Sequence, residues 1–206
     1  MIALIDYKAG NLTSVRKALT AVGAELFTPA APEDLDRATA TIVPGVGHFN
    51  ATAALDDAWH RVLRGRVEAG MPLLGICLGL QFLFEGSTEA PDVPGLGLLP
   101  GRCVLLAPDS GDSSAFPCKV PHVGWNALER NDTPSRLLDG VPSGAQAYFT
   151  HSYVAPESDA TVAWTTHGVR FPSVVERGRV FGAQFHPEKS GDVGLRMLRN
   201  FIAIAG

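Results

Sequence analysis

Short apolar runs alternate with amphipathic stretches through the first half of the chain. The apolar runs have the length of buried strands and cover residues 2–5, 24–28, 39–43 and 73–76. Between them, apolar residues recur at helical spacing over 12–22 and 53–68, and 32–37 is predicted to form a helical turn. Asn11 or Thr13 can cap the first helix, and Gly23 is placed to end it. Strands that alternate with helices favour a mostly parallel α/β sheet with helices on both faces.

The second half of the chain is richer in short strands. Two stretches rich in Gly, Pro, Ser or Asp, 85–101 and 109–116, are predicted to be surface loops. The predicted strands are 102–106, 123–128, 145–154, 162–166, 173–176 and 180–185, with a helical turn at 134–138. The last two strands are joined by a hairpin at 177–179, and an amphipathic helix at 192–204 follows. We therefore expect added antiparallel strands in a single domain spanning 1–206.

Composition and charge exclude several classes of function. At 206 residues the chain can bury one α/β core, and its net charge of -4, with 18% charged residues, provides no basic surface for nucleic acid. The first apolar run is halted by Asp6 without a basic leader, and no later run is long enough to span a bilayer. We predict a cytoplasmic chain without membrane or nucleic-acid partners.

The three cysteines do not form a recognisable framework. They are odd in number and lack metal-ligand spacing, so the sequence predicts neither a disulfide scaffold nor a metal site. Cys103 and Cys118 are expected to be packing residues.

Cys77 differs from the other two because of its surroundings. It follows the apolar run 73–76 within a Gly-x-Cys-x-Gly motif, and the chain then becomes amphipathic. This pattern predicts a nucleophile elbow with sulfur in place of a hydroxyl, in which Gly75 and Gly79 allow close approach. The start of a helix after Cys77 favours the thiolate. The alternative is a small buried packing residue, which is the more common role of a lone cysteine.

A catalytic thiol requires a base and, usually, a carboxylate that orients the base. His186 and Glu188 flank Pro187 directly after a predicted strand, and residues two apart in extended chain face the same way. We therefore predict a triad of Cys77, His186 and Glu188, with a chance charge pair as the alternative. His151 is the rival base, and the other four histidines lack a carboxylate so placed.

The segment Pro-Gly-Val-Gly at 44–47 follows another predicted strand. Such a turn can present bare backbone N-H groups to an anion, so an oxyanion hole can form there. The alternative is an ordinary tight turn.

Together these motifs resemble the class I, triad-type glutamine amidotransferases. The resemblance extends over essentially the whole chain and is closest to the glutaminase subunits of imidazole glycerol phosphate synthase. It depends on Asp-Tyr-x-x-Gly-Asn-Leu at 6–12, Pro-Gly-Val-Gly-x-Phe at 44–49, the elbow at 75–81, Lys-Val-Pro-His-Val-Gly-Trp-Asn at 119–126, Tyr-Phe-Thr-His-Ser-Tyr at 148–153 and His-Pro-Glu at 186–188. Leu80 and Val123 stand where Met is usual in the family, and Lys8 and Ala9 fill variable positions.

The resemblance implies a flavodoxin-like fold, an activity and a set of residue roles. Cys77 would form a thioester with glutamine and release ammonia, without a cofactor, and the backbone N-H groups of Val46 and Leu78 would hold the oxyanion. The positions that match the glutamine pocket are Gly47, Gln81, Glu85, His151, Ser152 and Tyr153. The implied partner is a (β/α)8-barrel cyclase subunit in a heterodimer that uses the ammonia in histidine biosynthesis. The positions that match the partner interface are Asn11, Trp125, Tyr148 and Lys189.

Two other interpretations remain open. Amidotransferases that serve anthranilate or pyridoxal phosphate synthesis would share the elbow and the His-Pro-Glu segment, but not the segment 119–126. A non-catalytic binding module could keep the fold, although the intact Cys77, His186 and Glu188 argue against it.

Overall fold

A computed structural model describes residues 1–107 and 119–206. Its main sheet has nine strands in the order β2-β1-β3-β4-β13-β12-β11-β8-β9. Their bounds are β1 Ile2–Leu4, β2 Leu26–Phe27, β3 Ala40–Val43, β4 Leu73–Ile76, β8 His122–Arg130, β9 Ala145–His151, β11 Thr161–His167, β12 Val169–Arg177 and β13 Val180–Ala183. A smaller sheet, in the order β10-β7-β5-β6, comprises β5 Gly86–Ser87, β6 Ala90–Pro94, β7 Arg102–Leu105 and β10 Tyr153–Val154.

The main sheet changes direction at its centre. Strands β2, β1, β3, β4 and β13 are parallel, whereas β12, β11, β8 and β9 continue the sheet with antiparallel pairing. The antiparallel part comes from the second half of the chain, where short connections suffice between successive strands. The prediction of a mostly parallel sheet extended by antiparallel strands is confirmed.

Helices cover both faces of the parallel region. The helices are α1 Leu12–Ala21, α2 Asp57–Glu68, α3 Leu78–Phe82 and α4 Gly191–Ala205, with 3-10 turns at Pro32–Arg37, Phe49–Ala54 and Pro187–Lys189. Alternate residues of the strands enter two separate cores. Leu74 and Ile76 of β4 pack with residues of α1 and α4, whereas Leu73 packs with residues of α2 and α3. A parallel strand buried on both faces explains the continuous apolar run that begins at residue 73.

Most predicted strands and helices differ from the observed bounds by one to four residues. The helix predicted over 53–68 begins only at Asp57, because Asp56 caps it by accepting from the N-H groups of Ala58 and Trp59. The loop predicted over 85–101 contains β5 and β6, whose Gly and Pro content concealed a short hairpin. The helical turn predicted at 134–138 is displaced, since 134–135 are irregular and the turn covers 137–140.

The strand predicted over 145–154 is divided between the two sheets. It leaves the main sheet after His151 and joins the smaller sheet at Tyr153, so Ser152 is the crossing point. Its uniform β composition gave no sign of this change. The loop predicted at 109–116 and Cys118 lie outside the described residues. In the described ranges, the structure contains no helix that is both long enough and apolar enough to cross a membrane.

Three neighbouring parallel strands end at the same edge of the sheet. β4 lies between β3 and β13, with Val43 opposite Gly75 and Ala183 opposite Ile76. The segments that follow these strands carry Val46, Cys77 and His186. Ligand sites of open α/β sheets lie outside the carboxyl ends of the strands, and the predicted chemistry gathers at this edge.

Candidate active site

The turn that carries Cys77 has the geometry of a nucleophile elbow. Cys77 has φ 53° and ψ -105°, a conformation that residues with a Cβ rarely adopt. A Cβ on Gly75 would lie 2.4 Å from the carbonyl oxygen of Gly79, and one on Gly79 would lie 1.7 Å from the carbonyl oxygen of Val43. The elbow therefore requires glycine on both sides of the thiol, as the motif predicted.

The thiol of Cys77 is almost buried and lies among polar groups. Its Sγ is 3.8 Å from the carbonyl oxygen of Thr150 and 3.8 Å from Nε2 of Gln184, which donates to it. Helix α3 has only five residues, so its dipole is weaker than the sequence pattern indicated. An amide N-H directed at sulfur stabilises negative charge there. The sequence analysis missed Gln184, although it lies two residues before His186 on an extended segment.

His186 and Glu188 form the expected pair. Nδ1 of His186 lies 2.8 Å from Oε1 of Glu188, and both side chains are essentially inaccessible to solvent. Burial alone would lower the pKa of His186, but Cys77 beside it and the bonded Glu188 raise that pKa from 6.5 to about 9. Asn11 donates from Nδ2 to the same Oε1 of Glu188. The structure thus brings Cys77, His186 and Glu188 together and adds Asn11 behind the carboxylate.

The other ring nitrogen of His186 faces the thiol without a regular hydrogen bond. Nε2 has no partner of good geometry among the described residues, although Cys77 is close enough to raise the pKa of the ring. We interpret this as a close approach that is not yet aligned, which leaves Nε2 available to both sulfur and substrate. A raised pKa favours the imidazolium form of His186 at neutral pH.

His151, the rival base, has different surroundings. Its Nδ1 lies 3.0 Å from the carbonyl oxygen of Tyr153, and its Nε2 lies 3.1 Å from Nδ1 of His122. Burial lowers the pKa of His151 to about 3. With both nitrogens occupied, this ring is a poor proton acceptor for Cys77.

A cavity of about 240 Å³ opens beside Cys77. Five of the six positions assigned to the glutamine pocket line it, together with Cys77, Leu78, Glu89, Pro121 and Thr150; the five are Gly47, Gln81, His151, Ser152 and Tyr153. Glu85 is exposed and does not line the cavity. Glu89 instead contributes the carboxylate at the wall, and its Oε2 accepts from the N-H of Phe49 at 2.7 Å. The hairpin of β5 and β6 places Glu89 there, and the sequence analysis did not predict that hairpin.

The Gly45–Val46 peptide has its carbonyl directed at the elbow. The N-H of Leu78 donates to the carbonyl oxygen of Gly45 at 3.3 Å, and the N-H of Val46 donates to the carbonyl oxygen of Ala9 at 3.1 Å. Both N-H groups assigned to the oxyanion are therefore occupied in this conformation.

Three of the four residues assigned to a partner interface pack together, with Trp125 and Lys189 on either side of Tyr148 in sequence. Trp125 is 56% exposed, and its ring meets that of Tyr148 edge to face at 6.0 Å. Nζ of Lys189 lies 5.6 Å from the centre of the Tyr148 ring. Asn11 is half-buried and donates to Glu188.

Of the remaining cysteines, only Cys103 lies in the described residues. It is fully buried, and burial raises the pKa of its thiol, in agreement with a packing role.

Comparison with known proteins identifies the family. The family Glutamine amidotransferase class-I matches residues 3–205. The imidazole glycerol phosphate synthase subunit HisH of Methanothermobacter thermautotrophicus is 43% identical over 99% of this chain and 98% of its own length. The subunit of the same name from Geobacillus kaustophilus is 46% identical over 100% and 97%.

Solved structures have the same fold at lower sequence identity. A crystal structure described as a glutamine amidotransferase superposes with a TM-score of 0.75 at 23% identity, covering 100% of both chains. The structure of PurLQS from Thermotoga maritima superposes with a TM-score of 0.72 at 21% identity, covering 98% of this chain and 97% of that one. The chain therefore belongs to the class I glutamine amidotransferases, among the HisH-type glutaminase subunits of imidazole glycerol phosphate synthase.

Proposed function

We propose that Cys77, His186 and Glu188 hydrolyse glutamine by way of a γ-glutamyl thioester. Sulfur of Cys77 attacks the carboxamide carbon, and the C–N bond breaks as Nε2 of His186 delivers a proton to the departing ammonia. His186 then takes a proton from water, which attacks the thioester and releases glutamate and the thiol. The observation that carries this proposal is the buried contact of His186 with both Cys77 and Glu188, which raises the pKa of the imidazole to about 9.

The tetrahedral intermediate requires donors for its oxyanion. The N-H of Leu78, the residue directly after the nucleophile, donates to the carbonyl of Gly45, and the N-H of Val46 donates to the carbonyl of Ala9. Neither N-H is available to an oxyanion in this conformation. If the Gly45–Val46 peptide turned over, the carbonyl would leave Leu78 and the N-H of Val46 would take its place. One such donor contributes about 3 kcal/mol, or on the order of a hundredfold in rate. The conformation described here is therefore a resting state of low activity.

The cavity has groups that suit glutamine. Glu89 provides a negative charge for the α-ammonium group, and Gln81 and the backbone at Ser152 and Tyr153 provide hydrogen-bonding groups in the same lining. Glutamine carries both charges at neutral pH, so a small polar cavity with one carboxylate fits it better than an apolar substrate. Glu85, the carboxylate implied by the resemblance, is too exposed for this role.

A cyclase subunit would receive the ammonia in the assembled enzyme. Support comes from the names of the relatives and from the exposed aromatic patch of Trp125 and Tyr148, because aromatic side chains are enriched at protein interfaces. We propose a heterodimer with a (β/α)8-barrel cyclase, in which this patch and Lys189 contact the barrel. We also propose that the chain works in the cytoplasm, in histidine biosynthesis.

The first test replaces the thiol. Cys77→Ala in the complex should abolish product formation from glutamine and leave formation from added ammonium salts intact, because the thiol acts only in releasing ammonia. Cys103→Ala is the matched control, since it also removes a buried thiol but lies outside the cavity. Loss of both activities in a correctly assembled Cys77→Ala complex would contradict the division of labour.

The second test addresses the oxyanion donor. Val46→Pro removes the N-H, and Val46→Ala keeps it while shortening the side chain. We expect a ligand bound to the cyclase partner to stimulate the glutaminase by favouring the turned Gly45–Val46 peptide. This stimulation should be lost in Val46→Pro and retained in Val46→Ala. Equal stimulation of the proline variant and the wild type would show that this N-H does not hold the oxyanion.

A further inference from the structure

A series of hydrogen bonds, buried at its centre, connects the glutamine cavity to strand β8. Nδ2 of Asn126 lies 3.3 Å from Nε2 of His122, and Nδ1 of His122 lies 3.1 Å from Nε2 of His151. Nδ1 of His151 lies 3.0 Å from the carbonyl oxygen of Tyr153. His122 and His151 face each other because they are paired across β8 and β9.

The groups at the two ends of this series of hydrogen bonds determine which ring nitrogens of His122 and His151 carry a proton. The amide nitrogen of Asn126 is a donor, since it also donates to the carbonyl of Thr166 at 2.9 Å and its Oδ1 accepts from the N-H of Ala127. Nε2 of His122 must therefore accept, and Nδ1 of His122 carries the proton and donates to His151. Nε2 of His151 then accepts, so its Nδ1 carries the proton and donates to Tyr153. Every bond runs in one direction, from Asn126 to the cavity.

Burial and stacking hold both rings in this neutral arrangement. His122 is 3% exposed and His151 6% exposed, and burial lowers their pKa values to about 4 and about 3. The ring of His122 stacks between those of His167, with centroids 4.0 Å apart, and Phe149, at 4.8 Å. A ring packed on two faces cannot rotate to exchange its nitrogens.

We propose that His122 is a positioning residue for the glutamine cavity, acting by fixing His151 in its Nδ1-protonated form. This inference rests on the proposed function, because it assigns a role in binding the same substrate. His122 is not among the residues that line the cavity; it acts through His151, which does.

The carbonyl of Tyr153 transmits the effect to the substrate site. It accepts from Nδ1 of His151 and also from Nε2 of Gln81 at 3.1 Å, so two donors from different elements hold it. In the opposite tautomer, a lone pair of Nδ1 would face the carbonyl oxygen at 3.0 Å and repel it. Ser152 and Tyr153 lie where the chain crosses between sheets, and the carbonyl of Ser152 accepts from the N-H of Leu106 at 2.7 Å on the side of the smaller sheet. The relay, which is the series of hydrogen bonds from Asn126 through His122 and His151 to Tyr153, adds a restraint from the main sheet at the cavity wall.

The test compares two substitutions of His122 in the assembled complex. In His122→Asn, the amide nitrogen can occupy the place of Nδ1 and donate to His151, whereas His122→Leu fills the space without a donor. We expect the leucine variant to raise KM for glutamine about tenfold, as for a buried polar group left unpaired, with kcat changed less than about twofold. The asparagine variant should stay within about threefold of the wild-type KM.

A spectroscopic measurement reads the relay without activity. Long-range proton–nitrogen correlation spectra of the full chain with labelled histidine should show His151 protonated at Nδ1 in the wild type and in His122→Asn, and mixed in His122→Leu. Asn126→Ala removes the first donor and should also give mixed tautomers of His151. This variant replaces His122→Leu in the test if the leucine variant fails to fold. Wild-type His151 protonated at Nε2, or equal KM values in the two His122 variants, would overturn the proposal. If the wild type lacked glutaminase activity, the proposed function would be wrong, while the spectra would still decide on the relay.

Discussion

The backbone at Cys77 predicts an unusual order of stability among variants that lack the thiol. At φ 53° and ψ -105°, a residue with a Cβ is strained by roughly 1 to 3 kcal/mol, whereas glycine adopts this conformation freely. Glycine costs about 0.5 to 1 kcal/mol more than alanine in backbone entropy on folding. Because the strain exceeds that cost on average, Cys77→Gly should be more stable than Cys77→Ala by about 1 kcal/mol.

Equilibrium unfolding in urea measures this difference directly. Both variants lose Sγ and the contacts with Gln184 and Thr150, so these losses cancel in the comparison. For a chain of this size, a difference of about 1 kcal/mol also corresponds to a shift in Tm of roughly 3 °C. The reverse order is expected at an exposed helical position, where Ala203→Gly in α4 should destabilise by about 1 kcal/mol.

The outcome bears on how the nucleophile is presented. A less stable Cys77→Gly, with the helical control behaving as expected, would show that the elbow is not strained and would refute the reasoning. A more stable Cys77→Gly means that the native residue stores strain in a conformation that projects the thiol above the sheet edge.

Three further predictions concern the base, the surface patch and a buried hydroxyl. Glu188→Gln should lower the pKa of His186 from about 9, followed by nuclear magnetic resonance titration, and should reduce glutamine hydrolysis less than His186→Ala does. The protonated His186 contributes stability that is fully present below about pH 6.5 and is lost as the pH rises through about 9, so this variant should lose stability at a lower pH than the wild type. The same dependence of stability on pH in both proteins would contradict this prediction. Trp125→Ala should weaken partner binding by about 2 kcal/mol in a titration, yet leave Tm nearly unchanged because the side chain is 56% exposed, whereas a large loss of Tm would make it a core residue. Tyr7→Phe should raise stability by about 1 kcal/mol in urea, since the hydroxyl of Tyr7 is buried without a hydrogen bond in the described residues; a destabilised variant would reveal a hidden partner.

The parts of the fold that local pattern determines could be predicted from the sequence. Three of the four strands of the first half, β1, β3 and β4, are buried on both faces, so each is a short apolar run. Pro32–Arg37 has the bounds that were predicted. The elbow was predictable because only glycine fits at 75 and 79, where an added Cβ would lie less than 2.5 Å from a backbone carbonyl oxygen. His186 and Glu188 are two residues apart, so their pairing also depends only on local geometry.

Long-range register explains what could not be predicted. His122 and His151 are 29 residues apart and meet only because β8 and β9 pair in one register. Glu89 reaches the cavity because it lies in the hairpin of β5 and β6, a Gly- and Pro-rich segment that by composition resembles a loop. In each case the residue type was visible in the sequence, while its position depended on pairing partners that composition does not encode.

Backbone hydrogen bonds connect the triad to the surface patch, and this connection constrains how a partner can act. The N-H of His186 donates to the carbonyl of Tyr148 at 2.8 Å, and the N-H of Tyr148 donates to Oγ of Ser190 at 2.9 Å. A partner that moved Tyr148 would therefore move His186, and with it the imidazole that must align with Cys77. Asn11 gives a second connection, from the start of α1 to the carboxylate of Glu188. Since Nε2 of His186 lacks a regular hydrogen bond in this conformation, the proposed partner would have two things to complete: the alignment of the base through Tyr148, and the turn of the Gly45–Val46 peptide.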